Sequence, residues 1–263
     1  MKHALFLTLL LAATAPAAAA VHGEEVRYTD GTGTVFRGYL AYDDATDAPR
    51  PGVLVVHEWW GHNAYVRERA EQLAAMGYTA LAVDMYGEGQ RAEHPSDAGA
   101  FASAVMQRAD QGGSRFLAAR DLLRDHLTVD ASDIAAIGYC FGGGVVLTMA
   151  RAGVELDGVA SFHGSLASPV TAQPGAVKAR VLVLHGGADT FIPPAQIGDF
   201  SAEMAAAGAA WEFVSYPGVL HSFTNPDADA FAERFDMAVA YDAAADADSW
   251  ARLDAFLEAV FAD

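Results

Sequence analysis

The sequence predicts an α/β fold, with a mostly parallel central sheet covered by helices on both faces. Three observations carry this. Apolar runs at 52–56, 78–83 and 181–184 are continuous rather than alternating, as strands buried on both faces require. Segments with apolar residues at helical spacing separate them, and strands alternating with helices make a parallel sheet. Polar residues suited to chemistry stand just past the strands' carboxyl ends, where ligands gather in such sheets.

The elements follow in order. Met1-Lys2-His3 is a short basic start, 4–13 is apolar apart from Thr8, and 14–20 is small and Ala-rich. This predicts a secretory signal peptide over 1–20, with Ala18-Ala19-Ala20 before Val21, and one domain over 21–263. The Leu-rich part is too short to span a bilayer comfortably. A periplasmic or secreted protein is expected, with no membrane association after cleavage. Residues 26–28 and 35–42, around Asp30-Gly31-Thr32-Gly33, read as a β-hairpin. Strand 52–56 leads into His57-Glu58-Trp59-Trp60-Gly61-His62. A helix follows with Val66, Ala70, Leu73 and Met76 on one face and Gly77 as its stop. Strand 78–83 ends at Asp84-Met85-Tyr86-Gly87. One helix is expected over 96–108 and a second over 116–127, with Phe116, Leu123 and Leu127 facing inward. Strands are expected at 134–137, 158–162, 181–184 and 211–216. Pro193-Pro194 opens a helix to Ala207, and 246–261 closes the chain as a helix with Trp250, Leu253, Leu257 and Val260 inward.

Composition removes several function classes. The formal net charge is −18, and one unit more negative without residues 1–20, which hold Lys2 and no acid. Such a surface repels nucleic acid and anionic membranes. The single cysteine allows no internal disulfide. His57, Glu58 and His62 are close in sequence, but their spacing matches no helical metal motif. No metal and no cofactor are expected, and the chain reads as a monomer acting on a small molecule.

The chemistry centres on Gly138-Tyr139-Cys140-Phe141-Gly142, between the strand Ile134-Ala135-Ala136-Ile137 and the apolar stretch 143–150. Strand, sharp Gly-x-nucleophile-x-Gly turn and helix make the nucleophile elbow of α/β-hydrolases. The tight turn needs small flanking residues, and the side chain at its tip meets the N–H groups that open the helix. A thiolate is stabilised at a helix N-terminus; the plain alternative is a small buried hydrophobe. Asp189 follows strand 181–184 through His185-Gly186-Gly187-Ala188, and His221 follows strand 211–216. Alone, Asp189 reads equally as an Asx-turn and His221 as a surface histidine. Together, Cys140, Asp189, His221 have the chain order of the α/β-hydrolase triad. Glu58 lies among aromatic side chains, which raise a carboxyl pKa. It could hold the resting thiol, handle a proton or be a plain loop glutamate.

The chain resembles the dienelactone hydrolase family of the α/β-hydrolase fold. The resemblance rests on His57-Glu58-Trp59-Trp60-Gly61, Ala82-Val83-Asp84-Met85-Tyr86-Gly87, Gly138-Tyr139-Cys140-Phe141-Gly142-Gly143, His185-Gly186-Gly187-Ala188-Asp189 and His221-Ser222-Phe223. Ala240-Tyr241-Asp242-Ala243-Ala244-Ala245 with Trp250 extends it. It implies hydrolysis of a small ester or lactone, with Cys140 as nucleophile, His221 as base and Asp189 as its orienter. Glu58 would hold the thiol until substrate displaces it. The backbone N–H groups of Phe141 and Trp59 would form the oxyanion hole. Read from the residues themselves, Trp59, Trp60, Tyr86 and Phe141 suggest an apolar aromatic-lined pocket, with plain core as the alternative, and Trp60, Tyr86 and Ser222 are the expected substrate contacts. Dienelactone carries a carboxylate that the family's enzyme grips with arginines, one shortly after the catalytic histidine. Here the first arginine after His221 is Arg234; Arg91, Arg108 or Arg115 are candidates for the other. Peptidase-like or acyl-transfer use of the same triad, and a non-catalytic thiol-redox binding protein, are the competing readings.

Overall fold

The structure is a computed structural model that describes residues 21–46 and 48–262; the expected signal peptide lies outside them. Its elements are β1 (Val21–Thr29), β2 (Val35–Asp43), β3 (Arg50–Val56), α1 (Ala64–Ala75), β4 (Thr79–Val83), α2 (Pro95–Met106), α3 (Ala109–Arg124), β5 (Val129–Tyr139) and α4 (Phe141–Arg151). Then come β6 (Gly158–Phe162), β7 (Arg180–Gly186), α5 (Pro194–Ala207), β8 (Trp211–Tyr216), α6 (Ala228–Phe235) and α7 (Ala243–Phe261). The eight strands form one sheet in the order β1-β2-β4-β3-β5-β6-β7-β8. β2 is antiparallel to β1 and β4, and every other neighbouring pair is parallel.

The apolar runs are continuous because both faces are covered. Leu54, Val56, Leu81, Val83, Val181 and Val183 join one core with Phe116, Leu123 and Phe200 of α3 and α5. Their alternates Val53, Val55, Ala80, Ala82, Leu182 and Leu184 join a second core with Leu73, Leu253 and Leu257 of α1 and α7. Successive side chains of a strand point to opposite faces, so two apolar cores need both parities apolar.

Four differences from the sequence reading have physical reasons. β1 begins at Val21 because it pairs with β2 along its length, from Val21↔Asp43 to Thr29↔Val35; its exposed, polar first half carries no apolar period. α3 runs through Gly112-Gly113, although glycine costs about 1 kcal/mol in a helix interior. A Cβ on Gly112 would stand 3.1 Å from Val105 Cγ1 and 3.2 Å from the Val105 carbonyl, so the approach of α2 favours glycine there. α3 ends at Arg124, which leaves Leu127 69% exposed rather than inward. α7 begins at Ala243, three residues early, because Asp242 caps it by accepting from the Ala244 and Ala245 N–H groups. No helix among the described residues is long and apolar enough to cross a membrane.

The carboxyl ends of β3, β5, β7 and β8 lead to Glu58, Cys140, Asp189 and His221. β3 neighbours β5, and β7 neighbours β8, so the sheet order sets these groups beside one another.

Candidate active site

Cys140 sits between β5 and α4 with φ 53° and ψ −114°, a left-handed conformation that side chains rarely adopt. Strain of this kind costs about 1–3 kcal/mol and persists only where the surroundings enforce it. Here the Cys140 N–H donates to the Phe162 carbonyl (3.0 Å) and the Gly142 N–H to the His57 carbonyl (3.1 Å). The flanking glycines are obligatory. A Cβ on Gly138 would lie 2.2 Å from the Gly142 carbonyl oxygen, and one on Gly142 would lie 2.3 Å from that of Val56.

Asp189 is buried and divides its oxygens. Oδ1 accepts from the Phe191 N–H at 2.8 Å, the Asx-turn anticipated for it, and Oδ2 meets His221 Nδ1 at 2.7 Å. The Asx-turn and a contact with His221 are therefore both present. The other ring nitrogen of His221 is left on the side of Cys140, whose sulfur is close enough to act on the charge of the ring. Burial opposes a charge on His221, but the Cys140 sulfur, Asp189 and their hydrogen bonds outweigh it and push its pKa up to about 10. His163 and Phe191 pack on the imidazole at 5.1 and 4.9 Å between ring centroids. Burial, then the neighbouring His221, holds His163 well below the usual histidine range, so it stays neutral.

The β3–α1 loop is pinned from two sides. The Met85 N–H donates to His57 Nε2 at 3.2 Å, so the neutral ring carries its proton on Nδ1 and donates to the Glu58 carbonyl (2.5 Å). The Tyr86 hydroxyl donates to the Trp59 carbonyl at 2.9 Å. Tyr86 thus braces the segment that carries the Trp59 N–H, packed on His57 and Phe141, instead of lining the cavity. Phe141 opens α4, and among the described residues neither its N–H nor that of Trp59 has a backbone acceptor.

Glu58 is buried, and its oxygens face residues after His221. The Ser222 hydroxyl donates to Oε1 (3.1 Å) and the Asn225 amide to Oε2 (2.5 Å). The resemblance implies a resting contact of Glu58 with the thiol; in this structure the thiol is coupled to His221. Burial raises the Glu58 pKa, partly offset by Asn225, His221 and Ser222. A carboxyl whose folded pKa is raised stabilises the fold below its unfolded value, near 4.5, and loses that contribution as pH rises through the folded value. Glu58→Gln is therefore expected to add about 1–2 kcal/mol of stability near pH 8 and almost nothing near pH 4, while lowering activity. Urea titrations at the two pH values check this, and equal effects at both would contradict it.

A cavity of about 340 Å³, counting its open mouth, lies over Cys140 and His221. Trp59, Trp60 and Ser222 line it, together with Phe191, Phe231, Met237 and Val239, which the sequence reading did not name. Phe231 belongs to α6, an element the sequence reading also left out. Its signal was present: Phe231 and Phe235 are four apart, so both reach one face of a helix, and they stack on Trp60 at 4.5 and 5.9 Å. Asn225 was missed because nothing local shows that it faces Glu58. Among the described residues no group of three or more His, Cys, Asp or Glu side chains is placed to hold a metal.

The family model of the dienelactone hydrolase family matches residues 36–261. A protein of Saccharolobus solfataricus, provisionally named carboxymethylenebutenolidase, is 26% identical over 272 residues, covering 90% of this chain and 99% of that one. "Protein usf" of Aquifex pyrophilus is 28% identical, covering 77% of this chain and 87% of that one. Among solved structures, the dienelactone hydrolase-like promiscuous phosphotriesterase P91, from metagenomic libraries, superposes with a TM-score of 0.86 at 33% identity, covering 92% of this chain and 99% of that chain. The sheet order, the helices on both faces and these matches make the fold that of an α/β-hydrolase, and the chain belongs to the dienelactone hydrolase family, as a hydrolase of the ester or lactone type.

Proposed function

We propose that this protein hydrolyses small carboxylic esters or lactones through a Cys140–His221–Asp189 triad and a covalent acyl-thioester on Cys140. The supporting observation is His221, hydrogen-bonded to Asp189 at 2.7 Å through Nδ1 and facing the elbow thiol with its other nitrogen. The reacting form is a thiolate beside an imidazolium. The sulfur attacks the carbonyl carbon, and the charge that develops on the carbonyl oxygen is met by the Phe141 and Trp59 N–H groups. Losing one such donor costs on the order of a hundredfold in rate. As the C–O bond breaks, His221 gives its proton to the leaving oxygen. Neutral His221 then takes a proton from water, the hydroxide oxygen bonds to the thioester carbon, and the C–S bond breaks to restore the ion pair. Asp189 holds the imidazole in the tautomer both steps need. Glu58, Trp60 and Ser222 shape the ground beside the thiol, and no step requires a cofactor. The pattern of residues 1–20 supports a periplasmic or secreted location.

The test is acid-quenched intact-mass measurement during turnover of a short-chain aryl ester and a small lactone. Wild type should gain one acyl mass, and Cys140→Ala should show neither adduct nor turnover, a fall on the order of 10⁴-fold or more. Equal rates in the two proteins would remove Cys140 from the chemistry. Because P91 is described as a promiscuous phosphotriesterase, a neutral aryl phosphotriester belongs in the same substrate set.

A further inference from the structure

The wall of the cavity over Cys140 is mostly carbon, from Trp59, Trp60, Phe191, Phe231, Met237 and Val239. Its polar members have their hydrogen bonds committed. Ser222 donates to Glu58, and the two nitrogens of His221 face Asp189 and Cys140. Among the described residues no lysine or arginine lines it. Behind Ser222 stands the Glu58 carboxyl, whose side-chain donors, Ser222 and Asn225, are both neutral. Cations are near but otherwise placed. Arg91 and Arg234 line a neighbouring groove that shares only Trp60 and Phe231 with the cavity. Arg69 is tied to Asp246 at 2.6 Å and to the Thr224 carbonyl at 2.7 Å.

We propose that the acyl group seated against Cys140 is uncharged and apolar, so that the enzyme accepts neutral esters and lactones and rejects those whose acyl portion carries a carboxylate. This rests on the hydrolase reading above and adds the substrate class to it. A carboxylate at the far end of the acyl chain would lose its water and find no lysine or arginine; the His221 imidazolium is taken up by Asp189 and Cys140, the Phe141 and Trp59 N–H groups by the ester's own carbonyl oxygen, and a second carboxyl group stands behind Ser222. An unpaired buried charge is among the costliest things a protein interior can hold. An apolar chain loses nothing there, because its water is replaced by aromatic and aliphatic surface.

Two esters with one leaving group separate the alternatives: 4-nitrophenyl hexanoate and mono-4-nitrophenyl adipate, in which a carboxylate replaces the terminal methyl. After subtraction of spontaneous hydrolysis, kcat/KM should favour hexanoate by on the order of a hundredfold or more. The preference should survive a rise from about 0.1 to about 0.5 M salt, because salt screens the exposed acidic surface much more than the recessed wall of the cavity. Met237→Lys, which brings a cation to the wall at a half-buried position, should narrow it by about tenfold. Comparable rates on the two esters, or a preference that collapses in salt, overturn the proposal. If both esters are cleaved equally and both activities vanish in Cys140→Ala, the hydrolase reading stands and the substrate class falls. If wild type cleaves neither and Cys140 gains no acyl mass, both fall together.

Discussion

Asp189→Asn is expected to lower kcat/KM by on the order of 10³–10⁴-fold with little change in thermal stability. The asparagine can keep the Asx-turn to the Phe191 N–H with its oxygen, which preserves the loop. Its amide then faces His221 Nδ1 as a donor where an acceptor stood at 2.7 Å. The ring is driven to the wrong tautomer, with its proton on the nitrogen that must exchange protons with Cys140 and water. The pH profile should move as well. The wild-type imidazolium persists until pH approaches about 10, because the Cys140 sulfur and Asp189 outweigh its burial. Above that the ring cannot protonate the leaving oxygen, so the alkaline limb lies near there in the wild type and shifts down when the Asp189 charge is removed. A variant with full activity, or an unmoved alkaline limb, would show that Asp189 serves the loop alone.

The second large effect is on stability. Arg69→Met is expected to cost about 3–5 kcal/mol, because it leaves Asp246 charged, half-buried and unpaired. The guanidinium donates to Asp246 at 2.6 Å, to the Thr224 carbonyl at 2.7 Å and to Gln72 at 3.1 Å. It also lies over the rings of Tyr65, Tyr139 and Trp250. At about 2–4 °C per kcal/mol for a domain of this size, the melting temperature should fall by roughly 6–20 °C. The double variant Arg69→Met with Asp246→Leu should recover much of the loss, since the cost lies in the stranded charge. Activity should fall beyond what stability explains. Thr224, whose hydroxyl meets Tyr65 at 2.7 Å and His163 at 2.8 Å, belongs to the loop that presents His221, Ser222 and Asn225. A melting temperature unchanged in the single variant would mean that the rings, not the ion pair, hold α1 to α7.

What could be read from the chain was local. The strands at 52–56 and 181–184 were visible because burial on both faces leaves no polar parity. The elbow was visible because its constraint acts between residues a few positions apart: Gly138 and Gly142 are small because each other's backbone, or that of β3, fills the space of a side chain. Asp189 and His221 could be named because each follows an apolar run at a fixed kind of place. By contrast, the helix through Gly112-Gly113 was hidden, since local cost argues against it and only the approach of α2 explains it. The role of α6 was hidden too, although its paired phenylalanines were in view, because nothing nearby says that Trp60 is what they cover.

The sequence alone therefore determined the α/β architecture, the elbow and the family to which the chain belongs, all of which follow from short-range sterics and the periodicity of burial. Only the tertiary structure decided how the site is poised. Glu58 takes its hydrogen bonds from Ser222 and Asn225, 164 and 167 residues away, which leaves the thiol to His221. A cavity with no lysine or arginine among its described lining residues is likewise the product of α6, the β5–α4 elbow and the four loops that follow β3, β7, β8 and α6. Hydrogen-bond partners and cavity linings are choices among groups far apart in the chain, and only the packing of the sheet and its helices makes those choices.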